Sequence, residues 1–220
     1  MFESAFNICP QISVLFSTFD QREMKMAKLK SNLPMMIFFT VLYVAAFQLQ
    51  VYVIYPLELG LGWEITHKAS IFFVPAGVML LAFYFLRLWF IPVAVIGRTV
   101  LYMQFWGGDT FLESLSASVF VALVYPLLLH VFQNAGWYVF GTEDNPRFTV
   151  TGIVIFQITV TLAVAFFQTG KLVLLNRLED AEAFQYTVHL MVGDVLGAVG
   201  VMYLFYVLFK YGPVRLGPVK

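Results

Sequence analysis

Charge is what this chain has least of. Only 12% of its 220 residues are charged, where a soluble domain carries about a quarter. So few charged groups cannot clothe a surface that faces water. The 13 basic and 13 acidic residues cancel, leaving no basic surplus to hold nucleic acid, and no nucleic-acid partner is expected. Cysteine is almost missing as well. Cys9 stands alone, which excludes an internal disulfide, and no metal-ligand spacing surrounds it. The sequence holds no Ser/His/Asp set, no phosphate-cradling glycine loop, no Cys/His cluster and no soluble segment large enough for a signalling enzyme, so no catalytic activity of its own is expected. Nor does the start of the chain follow the order of basic residues, apolar stretch and small-residue cleavage site that marks a secretory leader.

What is abundant is apolar surface: 60% of residues are hydrophobic and the mean hydropathy is +0.82. Lipid is the natural solvent for such a chain, and the bilayer is its first partner. Apolar runs occupy 33–55, 69–86, 89–106, 115–132, 148–168 and 187–209. Each is close to the roughly 20 residues that a membrane helix needs. Open-edged strands cannot sit in hydrocarbon, so the Val/Ile/Thr-rich fifth run is read as helix like the others. The fold class expected is all-α, a polytopic bundle of about six transmembrane helices over 33–210.

Residues 1–32 form an N-terminal segment. There Phe2, Phe6, Ile8, Ile12, Leu15, Phe16 and Phe19 recur before Arg22, Lys25, Lys28 and Lys30. This is the pattern of an interfacial amphipathic segment, with a partly disordered tail as the alternative. Residues 211–220, with Gly212, Pro213, Gly217 and Pro218, form an irregular tail. Pro34 suits the first turn of the first helix, and 171–186 reads as a mixed, polar connection.

Basic residues set the orientation. With the N-terminus inside, Arg22, Lys25, Lys28, Lys30, Arg87, Arg147, Lys210, Arg215 and Lys220 fall on the inner side, against Lys68, Lys171 and Arg177 outside. Excess lysine and arginine stays cytoplasmic, so both termini are expected in the cytoplasm of a cell whose inner (plasma) membrane holds the protein.

Charges within the apolar runs are the candidates for function. Arg98 sits in the middle of the third run and Asp194 inside the sixth. An unpaired charge at the bilayer centre costs about 2.5–3.5 kcal/mol on insertion scales, so both should face the interior and contact each other directly or through water. Such a contact either fixes packing or forms a polar centre that binds a ligand. His189, five residues before Asp194, is expected to hydrogen-bond to it. Gly193 and Gly197 have the spacing that allows close helix approach, and Gly200 extends that stripe. Pro75 removes a backbone donor from the second helix, and Gly77 permits close packing there. Gln157 and Thr161 lie one turn apart on the fifth run, and Glu113 and Ser114 precede the fourth helix. Haem or metal is not expected, because His130 and His189 lie in opposite leaflets and cannot share one ion; His67 is the third histidine.

Two stretches carry a family resemblance. Phe73-Val74-Pro75-Ala76-Gly77-Val78, followed by Arg87-Leu88-Trp89 and Pro92, is similar to the proline-and-glycine helix start and basic Trp/Pro turn of the membrane-associated sensor domains of the first class. Gly193-Asp194-Val195-Leu196-Gly197 resembles the Gly-Asp-x-x-Gly of their last helices. The resemblance covers 69–100 and 189–209, about a quarter of the chain. Those domains are integral membrane inputs of bacterial signal transduction. They usually have more helices than are expected here, and they are usually fused to an output enzyme. The resemblance implies a sensor with no enzymatic output, whose signal leaves through a membrane or signalling protein partner, with a small molecule as possible ligand. The alternative is transport: a small-solute transporter or a substrate-capturing transporter subunit. Leu42-Tyr43-Val44-Ala45-Ala46-Phe47 offers only an adjacent alanine pair where energy-coupling-factor subunits of similar size show a fuller small-residue signature.

Overall fold

A computed structural model of the chain describes residues 26–62, 70–105, 110–140 and 150–211. Cys9, the apolar positions of the N-terminal segment, His67, Lys68, Arg147 and the C-terminal tail lie outside the described residues. Among the described residues all regular structure is helical: α1 (Met26–Leu49), a π-turn (Gln50–Ile54), α2 (Tyr55–Gly60), α3 (Val74–Leu86), a 3-10 turn (Arg87–Trp89), α4 (Phe90–Phe105), α5 (Phe111–Asn134), α6 (Val150–Leu174) and α7 (Asp180–Tyr211).

Five helical stretches are long and apolar enough to cross a membrane: Ser31–Gly60, Val74–Met103, Phe111–Asn134, Thr151–Leu174 and Ala181–Leu208. The chain is a membrane protein of helical class. The stretch Val74–Met103 contains a reversal. Arg87 adopts φ 52°, a conformation uncommon for a residue with a side chain, and its guanidinium lies 4.6 Å from the centroid of the Phe140 ring. Beyond it the chain doubles back: the Phe83 and Phe90 rings meet at 5.4 Å, and Met79 of α3 and Arg98 of α4 line one small void. At 1.5 Å per residue, α3 with 13 residues and α4 with 16 reach about 20 and 24 Å, each less than the roughly 30 Å hydrocarbon core.

Several boundaries differ from those read in the sequence. The second run begins its helix at Val74 rather than at residue 69, so Pro75 lies in the first turn. There the missing N–H would have had no helical partner anyway, and the proline frees no carbonyl. Pro34 lies inside α1, not in its first turn, because α1 starts at Met26. Glu113 and Ser114 belong to the first turn of α5: Thr110 caps that helix by accepting from the Glu113 N–H, and the Glu113 carboxylate accepts from the Thr110 N–H in return. The polar stretch 171–186 is largely helix, since α6 runs to Leu174 and α7 begins at Asp180. Glu182 suits the positive end of the α7 dipole.

The helices pack as a closed ring. α1 lies against α3 and α4, α3 against α7, α7 against α6, α6 against α5, and α5 against α4. The centre of the ring is filled differently at its two ends. At the end marked by Arg87 it is filled by aromatic side chains. Phe83 stacks on Phe156 at 5.9 Å and meets Tyr125 at 5.2 Å; Phe90 meets Tyr125 at 5.0 Å; Phe140 meets Phe156 at 5.6 Å. Each such pair contributes about 0.5–1.5 kcal/mol beyond its buried area. The outer faces carry exposed Ile37, Phe38, Val41, Phe166 and Leu204, the surface that hydrocarbon covers.

Candidate functional site

The other end of the ring is hollow. A cavity of about 430 Å³ lies there, walled by residues of α1, α4, α6 and α7 and by residues 70–73, and it reaches the exposed Arg177. This volume falls within the about 300–1,000 Å³ typical of small-molecule sites. Tyr43, Phe47, Phe73, Leu101 and Leu190 supply apolar and aromatic wall, while Gln50, Ser70, Arg98, Lys171 and Asp194 supply the polar groups.

One wall is a stretch of non-helical backbone that leads into α3. It is pressed into α7. A Cβ on Gly193 would strike the carbonyl oxygen of Ser70, and one on Gly197 would strike that of Phe73. The Phe73 N–H donates to the Gly193 carbonyl at 3.0 Å. Gly200 gives room to the Phe72 ring, and a Cβ on Gly77 would come within 2.7 Å of the Gly197 carbonyl. The small-residue stripe of α7 therefore receives a loop as well as a helix. Non-helical backbone at membrane depth persists only where protein or a cavity satisfies its polar groups. Here side chains of the first helical stretch do so. The Glu58 carboxylate accepts from the Phe72 N–H at 3.0 Å and from the Ser70 hydroxyl at 2.9 Å. Gln50 donates to Ser70 at 2.7 Å, and its Oε1 accepts from the Val74 N–H at 3.1 Å, capping α3. Gln50 opens the π-turn, a local distortion often found at functional sites, and Pro56 follows just beyond.

Arg98 and Asp194 meet at the floor of this cavity. They sit on α4 and α7, which are not neighbours in the ring, and they face each other across it. Both also line a second void of about 20 Å³, deeper toward the aromatic end, with room for one water molecule. Among the described residues no ion pair joins them. Arg98 Nη2 donates to the Tyr102 hydroxyl at 2.7 Å, and the guanidinium lies 5.1 Å from the Tyr102 ring centroid. Its Nε has no hydrogen-bond partner among the described residues. Gln168 also donates to the Tyr102 hydroxyl, and Lys171 Nζ lies 5.6 Å from the same ring. A Cβ on Gly97 would lie 2.9 Å from the Tyr43 ring, so the glycine lets that ring close on α4 beside Arg98.

The remaining expected residues lie elsewhere. Asp194 is deeper than the sixth run indicates, at the middle of the Ala181–Leu208 stretch. His189 does not bind it: His189 Nδ1 is buried without a partner among the described residues. Five positions along an α-helix rotate a side chain by about 140°, so the two point away from each other. Pro75 and Gly77 line neither the cavity nor the void; they serve the packing of α3 on α7. Gln157 donates to Thr161 on its own helix at 3.2 Å, and its side chain also reaches Tyr125 on α5. His130 pairs with Asn134 at 3.0 Å, at the end of α5 remote from Glu113 and hence remote from the cavity.

Gln50, Glu58, Ser70, Tyr102, Gln168 and Lys171 were missed by the sequence reading. Two carry a usable signal: Tyr102 follows Arg98 by four residues, one helical turn, and Lys171 follows Gln168 by three. Comparison with protein families, curated proteins and solved structures finds no match for this chain.

Proposed function

We propose that this chain is a multi-pass protein of the bacterial inner membrane that captures a small molecule in the hollow end of its ring and passes its occupancy to a membrane or signalling protein partner, without catalysis of its own. In this reading α1, α3, α4, α5, α6 and α7 each cross the bilayer, α3 and α4 with the help of the residues that flank them, both termini are cytoplasmic, and the cavity faces outward. The excess of lysine and arginine assigned to the inner side supports that orientation.

The observation that carries the reading is the cavity floor. Ser70 and Phe73, in the loop that starts α3, and Asp194, at the centre of α7, touch the same cavity. A solute bound there contacts the start of one helix and the middle of another, both of which run on to the opposite face. Differential contact with two arrangements of those helices is what a ligand needs in order to shift them. The resemblance of 73–78 and 193–197 to membrane-associated sensor domains points the same way.

Affinity purification of the full chain from its native membrane tests this. One signalling protein should be retained in near-stoichiometric amount, and filling the cavity with Ala165→Trp should change the amount retained severalfold while the protein stays monodisperse. Transport is the second reading, favoured by the small void beyond Arg98 and Asp194, which continues the polar path inward. Solute accumulation by proteoliposomes holding this chain alone, with no partner retained from the membrane, would replace sensing with transport.

A further inference from the structure

The cavity floor presents an arginine and an aspartate that do not pair with each other directly. Arg98 on α4 and Asp194 on α7 line the same cavity and the same deeper void, and no ion pair joins them among the described residues. Arg98 gives one donor to Tyr102 and keeps its Nε unpartnered. No hydrogen bond to the Asp194 carboxylate is found among the described residues.

A ligand of one charge would satisfy one of these groups and oppose the other. A simple carboxylate on Arg98 would lie near Asp194, and a simple amine on Asp194 would lie near Arg98. Both would also bring net charge to mid-membrane depth, where it is costly. A molecule that carries an ammonium and a carboxylate satisfies both and adds no net charge. A guanidinium prefers the planar, two-pronged acceptor that a carboxylate offers. Tyr43, Phe47, Phe73 and Leu101 provide apolar wall for the rest of such a molecule, and about 430 Å³ is ample for one amino acid.

The geometry points to a small zwitterion of the amino-acid class as the ligand, its carboxylate toward Arg98 and its ammonium toward Asp194. This rests on the reading of the cavity as a capture site.

Binding to the purified full chain in detergent, followed by thermal shift and equilibrium titration, tests it. The probes are the standard L-amino acids, β-alanine and 4-aminobutanoate. Each zwitterion that binds is compared with its acid-only and amine-only analogues, such as 4-methylpentanoate and 3-methylbutylamine for leucine. Benzoate, inorganic phosphate and 2-phenylethylamine complete the set. At least one zwitterion is expected to bind about tenfold or more tightly than either analogue, since each analogue loses one charge-assisted contact. Asp194→Asn should weaken the zwitterion about tenfold and let its acid-only analogue bind at least as tightly as it does to the parent, since the opposing charge is gone; Arg98→Gln should do the converse for the amine-only analogue. If an acid-only or amine-only probe binds as tightly as every zwitterion, the zwitterion inference falls and the capture site stands. If no probe binds, and the shift is equally absent from the well-folded parent and from Ala165→Trp, the capture reading falls as well.

Discussion

The two ends of the ring are built from the same helices and hold their centres in opposite ways. At the Arg87 end, Phe83, Phe90, Tyr125, Phe140 and Phe156 fill the middle with rings. At the far end the corresponding positions are Gln50, Ser70, Arg98, Tyr102, Gln168 and Asp194, and the middle is hollow. Lipid supplies little hydrophobic drive between helices, so cohesion in a membrane comes from close packing and hydrogen bonds. The aromatic end carries the packing. The polar end gives up part of it for a space that a solute can enter.

The loop that joins these two regimes is the point most easily broken. Gly197→Val would place a side chain on the Phe73 carbonyl, where backbone cannot yield. The expected loss is about 3 kcal/mol or more, read as loss of monodisperse protein or a large fall in the detergent melting temperature; a variant as stable as the parent would show that the loop does not sit on α7 as described.

The contrast between the ends is tested by a matched pair. Phe83→Ala opens a void in the ring-filled end and should cost about 3 kcal/mol. Gln168→Leu removes a hydrogen bond from a cavity that water can fill and should cost less than about 1 kcal/mol. Chemical denaturation in mixed micelles measures both. Equal losses would mean that the two ends are not packed differently.

Arg98→Leu, Asp194→Leu and the double variant sharpen the comparison further. Charges that face each other through a cavity, without a direct bond, should show a coupling of about 1 kcal/mol or less in a double-mutant cycle of stability. A coupling of about 3 kcal/mol, as for a dry buried pair, would contradict the arrangement described. The smallest effect is expected at the rim. Arg177 and Glu113 are 3.4 Å apart and partly exposed, so Arg177→Ala should change stability by only a few tenths of a kcal/mol.

Much of this was legible in the sequence, and the limits were physical. Scarce charge and long apolar runs identify a membrane helix bundle, because hydrocarbon permits little else. Arg98 and Asp194 stood out as charges within those runs. Hydropathy does not say where inside an apolar run a helix begins, so the non-helical backbone ahead of Val74 was hidden in the second run. The network that steadies that backbone joins Gln50, Glu58 and Ser70 across a connection, and no periodicity marks such a contact. Tyr102 and Gln168 looked like ordinary residues near helix ends until the ring brought them over Arg98.

The central claim is that water and solutes reach mid-membrane depth from one face only, at the hollow end. In a Cys9→Ser background, Leu190→Cys lines the cavity, while Val93→Cys is buried near the rings of the opposite end. Labelling of intact cells with a charged, membrane-impermeant thiol reagent compares them directly. The account predicts rapid modification of Cys at 190 from outside and none at 93. Equal and negligible modification of both, or modification at 190 only when the cytoplasmic face is opened to the reagent, would contradict it.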